Sequence, residues 1–333
     1  MAVYIIAEAG VNHNGQLDLA YKLCDAAKVA GVDAVKFQTW KTENIVSKET
    51  DMATYQKENT GNVQESQFDM LKKLELSYSD FKRIQSYCKK IGIQFLSTPD
   101  EEESLDFLAS LELPVIKVGS GEVTNIPYLR KIGAKRQHVI LSTGMSYLSD
   151  VDIAYRTLIN SGATQVDLLH CTTNYPCPKE EVNLRAMQTL QDAYKCRVGY
   201  SDHTEGIEIP IAAVAMGAEI IEKHFTLDKN MNGPDHKASL DPKELKEMVT
   251  SIRNIEKALG NGVKQPNASE LEISKVVLKS IVAKQAISRG ELFTERNMTI
   301  KRTSQGISAK HWDLICGIEA TKDFEKDEII AIN

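Results

Sequence analysis

The strongest constraint on the fold is a regular alternation of short apolar runs with helical segments along residues 1–260. Each run is apolar throughout and mostly β-branched, as expected for a strand that is buried on both faces of a parallel sheet. The predicted strands cover residues 3–7, 34–37, 93–96, 115–118, 139–141, 166–169, 198–201 and 219–223. Eight strand–helix units in a segment of this length predict a (β/α)8 barrel, the TIM-barrel architecture.

Polar and reactive side chains follow nearly every predicted strand, and Glu8, Ser142 and His203 are examples. An open, doubly wound sheet is the alternative fold for the same alternation. The barrel accounts better for the polar residues, because the ends of all its strands converge on one mouth. We therefore expect a barrel with one active site at the carboxyl ends of its strands.

The connection between the second and third predicted strands is much longer than the others. Residues 39–67 are polar and show no clear periodicity, and a stretch that is rich in helix follows up to Ile91. Loops of that length are usually functional or disordered, so we expect segment 39–67 to be irregular.

The character of the sequence changes after residue 260. Residues 261–276 begin with glycine, asparagine and proline in a composition that is typical of a linker. Residues 277–333 contain two short predicted strands and predict a compact module that is too small to carry a large active site alone. The predicted organisation is a catalytic barrel, a linker and a small C-terminal domain.

The composition argues against two classes of function. The formal net charge is -6, which gives no support for binding nucleic acid or an anionic membrane surface. No apolar stretch is long enough to span a bilayer, and Glu8 interrupts the apolar run near the N-terminus, so a cytoplasmic protein without a signal peptide is expected. The six cysteines are scattered and include no Cys-x-x-Cys pair, which fits a reducing compartment. We interpret them, including Cys171 and Cys177, as structural.

Two histidines end neighbouring predicted strands. His203 and His224 follow the seventh and eighth strands, and one helical run connects these strands. Both strands of a βαβ unit end at the same edge of the sheet, so the two side chains are expected to be neighbours, which suits a two-histidine metal site. Asp202 and Glu222 are candidates to hydrogen-bond these histidines. The alternative is two unrelated histidines at strand ends.

Two glycine-containing loops predict a cradle for a phosphate or carboxylate group. Lys117 is followed by Ser120 between two glycines, and Ser142 precedes a third glycine one strand further on. Glycines let backbone N–H groups approach an anion closely, and lysine supplies positive charge. Lys36, which is expected to point into the same mouth, supports this interpretation. The alternative is that both loops are ordinary turns, because such tripeptides are common.

Several carboxylates lie at predicted strand ends or in the loops that follow them. Glu8 and Glu122 are the best candidates for acid–base or hydroxyl-binding work, because each directly follows an apolar run. Asp235 lies in the loop after the eighth strand. The three consecutive acids at 101–103 are interpreted as a solvent-exposed run.

Taken in order, these motifs resemble the bacterial sialic acid synthase family, whose members make N-acetylneuraminate and related nonulosonic acids. The segments that carry the resemblance are Ile6–Gly15, Val35–Thr39, Ser97–Pro99, Lys117–Glu122, Leu141–Met145, Ser201–Thr204, Glu222–Thr226 and Gly233–Asp235. Each motif alone is weak, but the ordered set is highly specific. The resemblance covers essentially the whole chain, and the C-terminal module resembles the antifreeze-like (SAF) domain of that family.

The resemblance implies a condensation of phosphoenolpyruvate with an N-acylated hexosamine. Carbon 3 of phosphoenolpyruvate attacks the open-chain aldehyde, water adds at carbon 2, and phosphate leaves by cleavage of the C–O bond. A divalent cation, typically Mn2+ with Mg2+ or Co2+ as alternatives, would be held by His203 and His224 and would polarise the aldehyde as a Lewis acid.

The resemblance also implies roles for the remaining motif residues. Glu122 would position or deprotonate the water, and Glu8 and Lys117 complete the predicted catalytic set. Phosphoenolpyruvate would be held by Lys36, Lys117, Ser120 and Ser142, and the further predicted substrate-binding residues are Gln38, Thr173, Tyr175, Ser201, Asp235 and Arg302.

Our first choice of reaction is N-acetylneuraminate synthesis from N-acetylmannosamine. The alternative is N,N'-diacetyllegionaminate, or another nonulosonate, from a sugar such as 2,4-diacetamido-2,4,6-trideoxymannose, because synthases of both products share these motifs. Two further alternatives are another phosphoenolpyruvate-dependent keto-deoxy sugar acid synthase and a non-enzymatic carbohydrate- or ice-binding protein.

The resemblance finally implies a domain-swapped homodimer. In the family, an arginine that corresponds to Arg302 reaches the sugar site of the partner subunit, where a guanidinium group can bind sugar oxygens. The family usually continues with Pro-Gly after this arginine, whereas this chain continues with Thr303 and Ser304.

Overall fold

The structure, a computed structural model, describes residues 2–60 and 65–332. Contacts between Cα atoms divide the chain into two units, Met1–Gly260 and Asn261–Asn333. Among the described residues, no helix has both the length and the apolar character needed to cross a membrane.

Eight parallel strands form the core of the larger unit. They are β1 Tyr4–Gly10, β2 Ala34–Thr39, β3 Gln94–Pro99, β4 Val115–Val118, β5 His138–Ser142, β6 Gln165–Cys171, β7 Val198–Asp202 and β8 Ile220–His224. Hydrogen bonds join them in the order β3-β2-β1-β8-β7-β6-β5-β4, and the two terminal strands of this order, β3 and β4, are in contact. The sheet therefore curves round into the predicted (β/α)8 barrel, and the open-sheet alternative is wrong.

Helices surround the barrel and connect its strands. They are α1 Leu17–Ala30, α2 Thr42–Ile45, α3 Thr54–Thr60, α4 Gln67–Leu74, α5 Tyr78–Ile91, α6 Glu102–Ser110, α7 Ile126–Ala134, α8 Leu148–Ser161, α9 Ala186–Tyr194, α10 Glu208–Ala215 and α11 Pro242–Leu259. Gly31 ends α1 and Gly92 ends α5, both in the left-handed region, with φ of 85° and 73°. Glycine adopts this conformation without the steric cost that a Cβ atom adds, which is why the predicted ends of these helices agree with the structure.

The long connection between β2 and β3 is more ordered than its polar sequence predicts. It contains α2, α3 and the start of α4, so the expectation of an irregular loop is wrong for these helical parts, while residues 46–53 have no helix and positions 61–64 lie outside the described residues. A small apolar cluster holds the connection together, formed by Val11, Trp40, Met52, Met70 and Leu74. These apolar residues are widely spaced in the sequence and follow no regular period, so the sequence pattern does not predict their burial. Their burial stabilises this segment.

Inside the barrel, side chains alternate between the inner and outer faces of each strand. The innermost apolar cluster contains one residue from each of seven strands: Ile6, Ala34, Leu96, Val115, Ile140, Leu169 and Ile220. On β7 the corresponding position is Gly199, where a Cβ atom would lie 2.2 Å from the Ile220 carbonyl oxygen. We call these eight residues the first inward positions, and they form the apolar floor beneath the mouth of the barrel.

The second unit has its own small core. Strand β9 Lys279–Ala283 pairs antiparallel with β10 Met298–Arg302, and the helices of this unit are α12 Ala268–Val277 and α13 Trp312–Ile315. Helix α12 occupies most of the segment whose composition predicts a linker. Asn267 caps α12 by accepting a hydrogen bond from the backbone N–H of Glu270, whose side chain bonds the cap residue in return. This Asn-x-x-Glu capping box is the sequence signal for a helix that composition alone conceals.

Candidate active site

A cavity opens at the carboxyl ends of the barrel strands, where the sequence predicts the site. It brings together most of the predicted residues: Glu8, Lys36, Gln38, Lys117, Ser120, Ser142, Thr173, Tyr175, Ser201, His203 and His224. Thr98, Asp100, Met145, Cys171 and Glu222 also line it, and the predictions assigned none of these a substrate contact. Glu122 and Asp235 are not among its lining residues, and Arg302 belongs to the second unit.

The period of two along each strand explains this arrangement. Two residues beyond the apolar floor, the second inward positions are Glu8, Lys36, Thr98, Lys117, Ser142, Cys171, Ser201 and Glu222. Two residues further, the third inward positions are Gly10, Gln38, Asp100, Gly119, Gly144, Thr173, His203 and His224. Polar groups therefore begin directly above the apolar floor, and both histidines belong to the outermost set.

Four buried charges form the base of the cavity. The Lys36 Nζ atom lies 2.7 Å from Glu8 Oε2 and 3.7 Å from Glu222 Oε2, while the Lys117 Nζ atom lies 3.5 Å from Glu222 Oε1. Hydrogen bonds complete the cluster: Lys36 donates to Thr98 Oγ1 at 3.0 Å, and Ser201 Oγ donates to Glu222 Oε1 at 3.0 Å. Two ammonium groups and two carboxylates thus balance each other at the base.

The two carboxyl groups of this cluster differ in acidity. Burial raises the pKa of Glu8 to about 7, although the Lys36 ammonium opposes the rise. Burial also acts to raise the pKa of Glu222, but the ammonium groups of Lys117 and Lys36 outweigh it and lower this pKa to about 2. Glu222 is therefore a fixed negative charge, whereas Glu8 can exchange a proton near neutral pH.

The predicted cradle assembles on one wall of the cavity. Lys117 Nζ donates to Ser142 Oγ at 2.7 Å, and the backbone N–H of Gly144 donates to Ser120 Oγ at 2.9 Å. Cys171 Sγ lies 3.1 Å from Ser120 Oγ, so this thiol belongs to the cavity wall. Two hydroxyl groups and an ammonium group on one wall can bind an anionic substrate.

His203 and His224 lie side by side, as the βαβ argument predicts. Their ring centroids are 5.4 Å apart, and the Tyr175 ring lies 4.1 Å from the His203 ring. His203 Nδ1 is 2.7 Å from the Thr172 carbonyl oxygen, while His224 Nδ1 is buried without a hydrogen-bond partner and lies 3.8 Å from Asp235 Oδ2. Burial lowers the pKa of both imidazoles. Neutral, adjacent imidazoles are suited to hold a divalent cation.

These two histidines fit a metal only as part of a larger ligand set. No group of three or more His, Cys, Asp and Glu side chains close enough to hold a metal occurs among residues 2–60 and 65–332. The pair supplies two nitrogen donors, and the unpartnered buried Nδ1 atom of His224 is the feature that a bound cation or a water would satisfy. Substrate or water oxygens would have to complete the coordination.

Asp202 and Glu222 do not hydrogen-bond the histidines, so that prediction is wrong. Asp202 Oδ2 instead accepts a hydrogen bond from Lys223 Nζ at 2.6 Å, and both side chains are fully buried. Lys223 also donates to the Thr204 carbonyl oxygen, and Asp202 accepts from the Thr204 backbone N–H. This ion pair ties the end of β7 to the end of β8, and thereby positions the histidine that follows each of its members.

The remaining predicted residues lie at the edge of the site or in the second unit. The Glu122 carboxylate accepts a hydrogen bond from Asn125 Nδ2 at 2.7 Å beside the start of α7, and Glu122 does not line the cavity. Asp235 approaches His224, and burial raises the pKa of Asp235 to about 6. Arg302 is the last residue of β10 in the second unit. Glu101 is buried and caps α6, so it does not belong to a solvent-exposed run.

Asp100 is the main side chain that the sequence argument missed. It follows Leu96 and Thr98 at intervals of two, and this spacing is the signal that could have found it.

A (β/α)8 barrel whose mouth combines a cationic cradle with two adjacent imidazoles defines a class of enzyme that binds an anionic substrate and has room for a cation.

The comparison with protein families agrees with this class. The model of the NeuB family matches residues 23–264, and the SAF domain model matches residues 279–333. The chain belongs to the NeuB family. This confirms the family that the sequence motifs indicated and the C-terminal SAF domain. It also confirms the predicted class of enzyme, a phosphoenolpyruvate-dependent nonulosonate synthase.

Two curated relatives and one solved structure cover most of the chain. The N,N'-diacetyllegionaminic acid synthase of Campylobacter jejuni is 52% identical over 98% of both chains. The enzyme of the same name from Legionella pneumophila is 46% identical over 95% of this chain and 90% of its own. The crystal structure of the N-acetylneuraminic acid synthetase from Leptospira borgpetersenii is 36% identical, with a TM-score of 0.72 over 83% of this chain and 93% of that chain.

The buried ion pair predicts a specific stability effect. Replacement Lys223→Met leaves the Asp202 carboxylate buried without a counter-charge, and we expect the free energy of unfolding to fall by about 3–5 kcal/mol. Urea unfolding measures the change. The double variant Asp202→Asn with Lys223→Met removes the isolated charge and should recover part of the loss. A single variant as stable as the wild type would show that the pair does not hold the two strand ends.

Proposed function

We propose that this protein condenses phosphoenolpyruvate with 2,4-diacetamido-2,4,6-trideoxymannose to give N,N'-diacetyllegionaminate and phosphate. The observation that carries the choice of sugar is the greater similarity to the two N,N'-diacetyllegionaminic acid synthases than to the N-acetylneuraminic acid synthetase. N-acetylneuraminate synthesis, our first choice from the sequence, is therefore the less well supported reaction. The further alternatives, an inert barrel and a synthase for phosphorylated aldoses, gain no support from the family.

The cradle accounts for binding of phosphoenolpyruvate. Lys117 and Ser142 are joined by a hydrogen bond, and Ser120, whose hydroxyl group contacts the Cys171 thiol, lines the same cavity. Lys36, on the other side of Glu222, supplies a second ammonium group. Oxygen atoms of phosphate and carboxylate groups accept hydrogen bonds from such donors, and charge assistance strengthens these bonds. The apolar floor beneath the cluster keeps water away from the deep end of the cavity.

The reaction requires that one proton be donated to the aldehyde oxygen and that one be removed from the attacking water. When carbon 3 of phosphoenolpyruvate attacks the aldehyde carbon, the aldehyde oxygen gains a proton and becomes a hydroxyl group. Water then adds to carbon 2 and loses a proton, which leaves a hydroxyl group there. This hydroxyl group passes its own proton to the departing phosphate as the bond between carbon 2 and the phosphate oxygen breaks, and the keto acid remains. Glu8, whose pKa is raised to about 7 by burial, can exchange a proton with the sugar, and Gln38 Nε2 donates to Glu8 Oε1 at 3.1 Å and orients it.

A divalent cation fits this proposal. His203 and His224 would hold Mn2+, or Mg2+ or Co2+ in its place, and the bound cation would supply Lewis-acid polarisation of the aldehyde. Tyr175 beside the His203 ring, together with Asp235 beside His224, would contribute to the sugar end of the site. The role of Glu122 in positioning the water stays a prediction, as does the cytoplasmic location.

Loss of either histidine should remove both cation binding and turnover. For His203→Ala and His224→Ala we expect the affinity for Mn2+ to fall by about 100-fold or more, because a two-histidine site with one nitrogen donor no longer fixes the cation. Titration calorimetry with Mn2+ alone measures the affinity, and phosphate release measures turnover. His311→Ala, in the second unit, is the control and should behave as the wild type. Near-normal activity of either cavity variant in metal-depleted buffer would contradict the metal site.

A competition assay tests the choice of sugar. With phosphoenolpyruvate and Mn2+ present, we expect 2,4-diacetamido-2,4,6-trideoxymannose to be consumed in preference to N-acetylmannosamine when both are offered at equal concentration. Mass spectrometry distinguishes the two products. Arabinose 5-phosphate in a separate reaction should release no phosphate. A clear preference for N-acetylmannosamine would restore N-acetylneuraminate synthesis as the reaction.

We also propose a homodimer in which Arg302 serves the active site of the partner subunit. The support for this proposal is the family resemblance of the segment that contains Arg302. The test mixes inactive His203→Ala protein with inactive Arg302→Ala protein under conditions of subunit exchange. A mixed dimer carries one site with both residues intact, so part of the wild-type activity should return. If mass spectrometry shows exchange and the mixture remains inactive, the exchanged-arginine proposal is wrong.

A further inference from the structure

The third inward positions point to a substrate contact that the sequence motifs do not contain. Apart from glycines, these positions are Gln38, Asp100, Thr173, His203 and His224. All five line the cavity, and four of them belong to the predicted site. Asp100 occupies the same structural position on β3 without an assigned role.

The backbone holds Asp100 firmly at the mouth. Its N–H donates to the Thr39 carbonyl oxygen at 3.1 Å, which continues the ladder between β2 and β3 by one residue. Tyr128 on α7 donates its hydroxyl group to the carbonyl oxygen of Pro99 at 2.8 Å and fixes the strand end from outside. The side chain of Asp100 is consequently directed into the cavity, two residues beyond Thr98, which bonds Lys36.

We propose that Asp100 is a further sugar-contacting residue, whose carboxyl group binds a polar substituent of the sugar and takes part in the choice between sugars. This inference rests on the proposed function. Lys36, Lys117 and Ser142, which hold phosphoenolpyruvate in that proposal, occupy second inward positions deeper in the barrel. Asp100 is level with the histidines and Gln38 along the strands, and these are the residues assigned to the aldehyde and the sugar.

The charges around Asp100 favour its neutral form. Burial raises the pKa of Asp100 to about 8; the Lys36 ammonium on β2 opposes this rise, while Glu122 after β4, Glu8 on β1 and the adjacent Glu101 add to it. The Tyr128 phenol on α7 also faces the group. A carboxyl group that keeps its proton offers one O–H donor and one C=O acceptor. An acetamido group offers the complementary pair, an N–H donor and a C=O acceptor, whereas an ionised carboxylate can only accept.

Two substitutions of Asp100 distinguish the loss of its hydrogen bonds to the sugar from the loss of its ionisable group. Asp100→Ala removes both donor and acceptor, and we expect the KM for the diacetamido sugar to rise about 10-fold with the KM for phosphoenolpyruvate nearly unchanged. Asp100→Asn retains a donor and an acceptor, so it should restore much of the sugar affinity. In the wild type, kcat/KM for the sugar should fall above a pH of about 8, where Asp100 loses its proton, and this fall should be absent in Asp100→Asn. Glu103→Gln, an exposed change of the same kind three residues further on, is the control.

The outcomes distinguish this inference from the proposed function. A wild-type enzyme that prefers N-acetylmannosamine defeats the proposed reaction, yet the KM of that sugar in the two variants still tests Asp100. In Asp100→Ala, an unchanged KM for every sugar, or a rise confined to phosphoenolpyruvate, would overturn the sugar contact. Thermal unfolding of each variant is measured in parallel. If Asp100→Ala does not fold, the pH profile of Asp100→Asn carries the test, and a fall in kcat/KM for the sugar that persists above a pH of about 8 in this variant would overturn the inference.

Discussion

The burial of four charges at the base of the barrel is the constraint on which the site depends. Lys36 and Lys117 can lie deep in the protein only because Glu8 and Glu222 neutralise them at short range. Removal of charged groups from water costs several kcal/mol for each ion, so no member of such a cluster is dispensable by itself. The barrel meets this requirement by supplying the charges from four strands, β1, β2, β4 and β8, whose directions converge.

The same geometry places apolar, charged and imidazole side chains at different depths in the barrel. Because successive inward side chains lie two residues apart, an apolar floor, a charged layer and an outer layer with two imidazoles follow each other along the strands. Glycine occupies the floor on β7, where the Ile220 backbone leaves no space for a Cβ atom. In the proposed reaction, an anion in the charged layer would meet fixed donors, while a bulkier sugar would lie among the outer residues.

Some parts of the fold and site follow from local pattern, and others do not. The strands, the ends of α1 and α5 and the adjacency of His203 and His224 were predictable, because each depends on an apolar run, a glycine or one crossover. The partner of Asp202 was not predictable. Adjacency in sequence placed Asp202 near His203, whereas the parallel register pairs Asp202 with Lys223 on the next strand. Likewise, Glu122 lies four residues beyond the end of β4, and its carboxylate accepts a hydrogen bond from Asn125 at the start of α7.

The sequence by itself determined the barrel, the position of the site at the strand ends and most of the residues there, because apolar periodicity, glycine and the rules of βα connection act over short stretches of chain. Only the tertiary structure decided which charges compensate each other, that Cys171 and Asp100 face the cavity, and that the connection between β2 and β3 is ordered. These features depend on strand register and on distances between strands that are far apart in sequence. The pKa of a side chain and its hydrogen-bond partners are set by the residues that the fold brings around it.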